Sequence, residues 1–236
     1  MITTSSLIAG RSKGARTSIC RPESVEMKMT TIEKYFVNGK KHTLQVARRA
    51  RQLLDRVNIR TAQRYLDVGC GVGTGCEVAA KCGMDVTGID IDPWQIEAAR
   101  KAYPHLRFIV MDAAKLHFED AEFDIVSTSM ATHHMPDWES AFSEMIRVLK
   151  FGGYLIHSDL MLPVRLAAVG RRFFPFVRFP SAKLIESIAS GGGLSMVYQF
   201  RASLRFDFIW TKNNWRCGLP GKVTNRNPQV LQCGSV

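Results

Sequence analysis

The stretch Leu66-Asp67-Val68-Gly69-Cys70-Gly71-Val72-Gly73-Thr74-Gly75 is where this sequence is best equipped for chemistry. Alternating glycines let a backbone turn tightly and pass close to a ligand, and the amides of a following helix point at whatever is bound. The spacing narrows the ligand. The GxGxxG loop of nicotinamide and flavin enzymes fails in every frame, because Thr74, Cys76 or Val78 falls where the third glycine belongs. No Lys-Ser/Thr follows to make a phosphate-binding P-loop. A second polar cluster, from Ser127 to Trp138, places His133 and His134 between an apolar run and a helical one. That is the end of a strand at which ligands collect in an open α/β sheet.

Alternating elements must position these residues. Helical spacing over Thr43–Val57 sets Leu44, Ala47, Ala50 and Leu54 on one stripe. A short strand ends in Tyr65-Leu66-Asp67-Val68, and a helix over Gly73–Lys81 leaves the glycine loop. Strands are expected at Asp85–Asp90, Leu106–Met111, Phe123–Ser127 and Tyr154–Ser158. Helices are expected from Pro93, at a first-turn position, and over Asp137–Leu149. A helix capped by Ser181 stops at Gly191-Gly192-Gly193, before strands near Ser195–Phe200 and Leu204–Trp210. Strands alternating with helices build a parallel sheet covered on both faces. The last two strands are too close for a crossover and must pair antiparallel. The fold expected is therefore α/β, a doubly wound Rossmann-like sheet of five parallel strands with a C-terminal antiparallel hairpin.

Five motifs in this order resemble the class I S-adenosylmethionine-dependent methyltransferases, in particular the small-molecule group of quinone-biosynthesis enzymes. They are the D-x-G-x-G-x-G loop, Gly88-Ile89-Asp90, Met111-Asp112-Ala113-Ala114, Phe123-Asp124-Ile125-Val126 and Arg147-Val148-Leu149-Lys150-Phe151-Gly152-Gly153. The likeness is strong over residues 60–160 and weak over the hairpin, and it implies the seven-stranded methyltransferase fold with S-adenosyl-L-methionine as cofactor. By this resemblance Gly69, Gly71 and Gly73 pass close to the methionine part and Asp67 orients its amino group. Asp90 offers two acceptors to the ribose hydroxyls, Ile91 packs on the adenine, and Asp112 with the amide of Ala113 reads its edge. Phe151 stands where the family usually has proline, a change of turn rigidity rather than of chemistry.

Methyl transfer from a sulfonium is an in-line displacement, so alignment and exclusion of water supply much of the acceleration. A base is needed only where the acceptor is an oxygen, a carbon acid or a protonated amine. Small-molecule relatives carry a histidine at the place of His134, which makes His134 and His133 the candidate catalytic residues. The plainer reading is a histidine that closes the loop on the next helix. Tyr35 and Phe36 resemble the aromatic cover of the cofactor, with core packing as an equal alternative.

Hydrophobic residues make up 46% of the 236 and charged ones 22%, which excludes wholesale disorder. The net charge of +11 is unevenly placed: residues 160–236 hold 11 basic against 2 acidic side chains, while residues 23–159 are nearly balanced. A basic end is weak support for a nucleic-acid partner and fair support for an anionic surface or substrate. Rival readings are an RNA or other macromolecule methyltransferase and a non-catalytic binding subunit of the same fold. The first lacks the N/D-P-P-Y/F motif of base-amino enzymes after strand four. Six cysteines with no CxxC pair read as reduced thiols without a metal site. The organisation expected is a tail over 1–30, disordered or for targeting, a methyltransferase domain over 31–214 and a tail over 215–236. Arg171-Arg172-Phe173-Phe174-Pro175-Phe176-Val177-Arg178-Phe179 is read as a substrate lid, a peripheral membrane contact or plain packing. The location expected is cytoplasmic, or mitochondrial if the acid-free N-terminus is a transit peptide.

Overall fold

The computed structural model describes residues 39–61, 63–160, 181–202 and 205–213. The expected tails, Tyr35, Phe36, the Phe/Arg-rich run at 171–179 and Leu204 lie outside the described residues. Helix α1 spans Lys40–Leu54 and strand β1 Arg64–Val68, followed by α2 Thr74–Lys81, β2 Asp85–Asp90, α3 Pro93–Ala102 and β3 Arg107–Val110. Then come β4 Phe123–Ser129, a 3-10 turn Thr132–His134, α4 Trp138–Val148, β5 Leu149–Leu160, α5 Ala182–Gly191, β6 Leu194–Ala202 and β7 Arg205–Lys212.

All seven strands form one sheet in the order β3-β2-β1-β4-β5-β7-β6. The first five are parallel, and β7 runs antiparallel between β5 and β6, which is the doubly wound sheet with a hairpin that the pattern predicts. Successive strands move outward from β1 to β3, then the chain returns to lay β4 on the other side of β1. Helices to either side of that reversal leave a crevice at the carboxyl ends of β1 and β4.

Period-two alternation sorts the core into two layers. Leu66, Val68, Val126, Phe206, Phe208 and Trp210 pack under α4 and α5 with Phe142, Met145 and Ile185. Tyr65, Val86, Ile125, Ile156 and Ile209 face α1, α2 and α3 through Leu53, Leu54, Ala79 and Ile96. Helices α3, α4 and α5 begin at side-chain caps, Asp92, Asp137 and Ser181, each accepting an N–H of its own first turn.

Three local expectations change. Helix α1 runs over Lys40–Leu54 rather than Thr43–Val57, with Leu44 of the helical spacing 51% exposed and the buried end formed by Leu53 and Leu54. Strand β3 is shorter than expected by one residue at each end. Strand β5 starts at Leu149 rather than Tyr154 because Phe123 pairs with Leu149 before the register slips and Ile125 pairs with Tyr154. The Lys150–Gly153 turn is thus a bulge inside a strand, with Gly152 at φ 77° supplying the left-handed step.

Asp207 on β7 is fully buried on the α1 side of the sheet. It accepts from Ser158 Oγ at 2.6 Å and from Nε of Arg49 at 3.0 Å, so one carboxylate fastens α1 to the hairpin. Burial, with Arg205 nearby, lowers the pKa of Arg49. Removing the carboxylate would leave that guanidinium largely desolvated without its partner. We therefore expect Asp207→Ala to cost about 3 kcal/mol in a guanidinium unfolding curve, and the double variant Asp207→Ala/Arg49→Met to recover most of it.

Candidate functional site

Strand β1 delivers Asp67 and the glycine loop into the crevice. Gly69, Gly71 and Gly73 all take left-handed φ angles, at 74°, 53° and 83°. The amides of Gly69 and Cys70 both donate to the carbonyl of Ile89, each at 2.9 Å, so the loop folds back over the end of β2. A Cβ at Gly69 would lie 2.4 Å from the Cβ of Ala131. Only a glycine lets the loop rest on the segment that follows β4. Around Gly71 no heavy atom lies within 4 Å of where a Cβ would stand, which is open room for a ligand against bare backbone.

Asp90 ends β2 with Oδ2 accepting from Gly71 N at 3.0 Å and Oδ1 accepting from Asp92 N at 2.9 Å. Each oxygen keeps a further lone pair for a ligand hydroxyl. Burial lifts its pKa against those two amides. Ile91, the next residue, is 55% exposed. Asp112 is brought next to it, because Met111 N donates to the carbonyl of Asp90 at 3.0 Å. Its Oδ1 accepts from Ala114 N at 2.9 Å, a turn that leaves the carboxylate exposed and Ala113 half-buried. Asp67 is buried and accepts from Sγ of Cys76 at 3.5 Å. Burial, reinforced by the charge of Asp90, raises its pKa to about 7. A narrow cavity between α1 and the loop is lined by Ala50, Leu54, Asp67, Gly69, Thr128 and Ser129, among others.

The eight residues expected at a cofactor thus meet along the ends of β1, β2 and β3. His133 and His134 lie on the turn that follows β4. Met130, at the end of β4, holds a left-handed φ of 54°, a strained state for a side-chain-bearing residue. Ala131 touches the glycine loop, and the turn Thr132–His134 follows directly. The rings of His133 and His134 lie 4.1 Å apart.

Sequence reasoning missed the residues of β5 that meet this turn. His133 Nδ1 lies 2.5 Å from Oδ1 of Asp159, and its backbone N–H donates to Oδ2 at 3.2 Å. Burial works against the Asp159 carboxylate, yet the hydrogen bond and charge of His133 outweigh it and hold the pKa below the ordinary range. His157 Nε2 lies 2.9 Å from Thr132 Oγ1, and burial pushes its pKa down to about 4, so it is neutral. The available signal was three polar residues in a row, His157-Ser158-Asp159, closing a strand buried on both faces. Among the described residues no group of three or more His, Cys, Asp and Glu is placed to hold a metal ion.

A sheet of this order, five parallel strands with an antiparallel hairpin at one edge, is the seven-stranded methyltransferase fold. The comparisons agree. Residues 66–157 match the model of a family described as a methyltransferase domain. The chain is 33% identical over 145 residues to demethylmenaquinone methyltransferase of Renibacterium salmoninarum, covering 61% of each protein. It is 43% identical over 98 residues to 2-methyl-6-phytyl-1,4-hydroquinone methyltransferase of Synechocystis, covering 40% of this chain and 31% of that one. The chain therefore spans less than two thirds of these relatives. Among solved structures, phosphoethanolamine N-methyltransferase 2 of Haemonchus contortus, in complex with phosphomonomethylethanolamine and S-adenosylhomocysteine, has the same fold. Its TM-score is 0.64 at 19% identity, covering 71% of this chain and 53% of that one.

The site fits the cofactor of this class. Open backbone at Gly71, spare acceptor capacity on Asp90, an exposed Ile91 for a ring face and a buried acid at Asp67 are what a sulfonium nucleoside with a free ammonium requires. Asp67 also sets a pH dependence. Its ordinary value is 3.8 and the folded value is about 7, so the folded chain keeps this proton between the two. Stability is thus lost as pH rises through that window. Unfolding midpoints at about pH 5 and about pH 8 should differ in the parent chain, and Asp67→Asn should shrink that difference by raising stability at the higher pH.

Proposed function

We propose that the protein is an S-adenosyl-L-methionine-dependent methyltransferase acting on a small, apolar or aromatic acceptor. The observation that carries this is the loop clamped by Asp90 through Gly71 N at the point of strand reversal. The relatives named for a menaquinone precursor and a phytylhydroquinone support an apolar acceptor. Relatives named for such acceptors also weigh against the macromolecular reading.

That cofactor, when bound, supplies a methyl group already activated by a positively charged sulfur. The chain's own residues do the rest. Gly71 lends open backbone while Gly69 and Gly73 let the loop pack on Ala131 and Phe108, Asp90 would accept from the ribose hydroxyls, and Ile91, Asp112 and Ala113 would take the base. Asp67 faces the ammonium, whose charge would draw the acid into its ionised form. His133 and His134, on the turn after Ala131, would serve the acceptor end, and α1, which lines the narrow cavity, would close the crevice against water. We further propose a peripheral membrane contact through the Phe/Arg-rich run at 171–179, suited to a lipid-dissolved acceptor. A cytoplasmic location fits the buried thiols of Cys70, Cys76 and Cys82, with mitochondria as the alternative suggested by the acid-free N-terminus.

Calorimetric titration with S-adenosylmethionine, S-adenosylhomocysteine and NAD tests the proposal. Both sulfur ligands should bind with micromolar affinity and NAD should not. Asp90→Ala removes two charge-assisted hydrogen bonds of about 1.5–3 kcal/mol each and should weaken binding on the order of 100-fold or more. NAD binding, or unchanged affinity in Asp90→Ala, would contradict it.

A further inference from the structure

At the far end of the sheet from the glycine loop lies a cavity of about 230 Å³ that the methyl transfer does not use. It opens beside the amino ends of β1 and β4 and is lined by Asn58, Arg60, Gln63, Phe151, Gly153 and Tyr154, among others. The bulge in β5 shapes it. A Cβ at Gly153 would lie 2.6 Å from the carbonyl oxygen of Asp124, so glycine is what lets the bulge rest on β4. Around Gly152 nothing lies within 4 Å of where a Cβ would stand, which leaves bare backbone facing open space. Bulges recur beside functional sites because they re-aim neighbouring side chains.

Phenylalanine at 151, where the family usually has proline, does more than loosen this turn. It sets a ring, 52% exposed, into the wall of the cavity. Lys212 Nζ lies 5.0 Å from the centroid of that ring and is itself held by the carbonyls of Ile146 and Leu149, at 2.6 and 2.7 Å. A single exposed ring is ordinary. This one shares a cavity with a second aromatic residue, Tyr154, and with an unanswered charge.

The charged lining residues are Arg60 and Asp124. Asp124 is already neutralised, because its Oδ2 accepts from Arg64 N at 2.9 Å and from Lys150 Nζ at 2.8 Å. Arg64 is likewise paired, with Glu122 at 2.6 Å. Arg60 differs. Its backbone N–H donates to Gln63 Oε1 at 2.6 Å, which closes the loop and leaves the Gln63 amide nitrogen to donate elsewhere. Among the described residues, neither the Arg60 guanidinium nor the Asn58 amide makes a hydrogen bond or ion pair. A cation would be repelled by Arg60, and a neutral aliphatic molecule would leave its charge unanswered. A carboxylate matches the planar fork of a guanidinium, and a flat ring suits aromatic walls.

We propose that this cavity is a second binding site, for a small aromatic carboxylate, whose anion accepts from Arg60, Asn58 and Gln63 and whose ring packs on Phe151 and Tyr154. The length of β1, Arg64–Val68, separates it from the glycine loop, so its ligand is not the methyl acceptor. Any effect on catalysis passes through β1 and β4. The proposal stands apart from the methyltransferase reading.

The test is a titration of the full, ¹⁵N-labelled chain with benzoate, followed by amide NMR. The signals of Gly152, Gly153 and Tyr154 should move and saturate at millimolar benzoate, while those of Gly69 and Gly71 stay in place. Cyclohexanecarboxylate, which lacks the flat ring, and benzamide, which lacks the charge, should each bind several-fold more weakly. Arg60→Gln should weaken benzoate on the order of 10-fold or more. Phe151→Leu keeps apolar bulk without the aromatic face and should weaken it a few-fold. Both positions are exposed, so unfolding midpoints should match the parent. Saturating S-adenosylhomocysteine should not displace benzoate. Absence of saturable shifts, shifts at Gly69 and Gly71 instead, equal binding of benzamide, or unchanged affinity in Arg60→Gln would overturn the proposal.

Discussion

The hydrogen bond from Gly71 N to Asp90 Oδ2 is the constraint on which the rest of the site depends. A loop of alternating glycines has little stiffness of its own, and its conformational entropy must be offset by something outside it. Here β2 provides that through one carbonyl and one carboxylate, Ile89 and Asp90. The same carboxylate keeps lone pairs beyond the two amides it accepts, so in the reading proposed above a single side chain would set both loop shape and ligand recognition. That double duty explains why an acid belongs at the end of β2 rather than any residue able to cap a loop.

From that point the architecture builds in both directions across the sheet. On one side, β3 is held against β2, which brings Asp112 and Ala113 beside Asp90. On the other, β4 delivers the histidine turn onto Gly69, and β5 supplies the carboxylate that orients it. The hairpin lies beyond β5, yet it reaches back to the site, because Asp207 anchors α1 through Arg49 and α1 walls the crevice. Glycine loop, histidine turn and cover are thus tied to one sheet whose register leaves little freedom to separate them.

What was legible in the sequence was local. The glycine loop, the places of Asp90 and Asp112 at strand ends and the succession of strands and helices could be read because each motif is contiguous and its partners lie one element away. The hairpin followed from a connection too short for a crossover. Asp159 and Asp207 were not legible. Each is a lone acid in a strand whose partner arrives from another element, 26 residues before Asp159 and 158 before Asp207. Leu44 shows the converse error, since helical spacing gives a stripe without saying which part of it a neighbour will cover. The Lys150–Gly153 run reads as a turn by composition and is one in geometry, but pairing of Leu149 with Phe123 absorbs it into β5.

The most direct test of the account is a crystal structure of the chain grown with S-adenosylhomocysteine. The account predicts the ribose hydroxyls on the carboxylate of Asp90, the adenine between Ile91 and the Asp112–Ala113 turn, and the amino acid part over Gly69 beside Asp67. It also predicts that the Gly71–Asp90 hydrogen bond survives intact beneath the ligand. Ligand density elsewhere on the chain, or a loop that abandons Asp90 to admit the ligand, would contradict it.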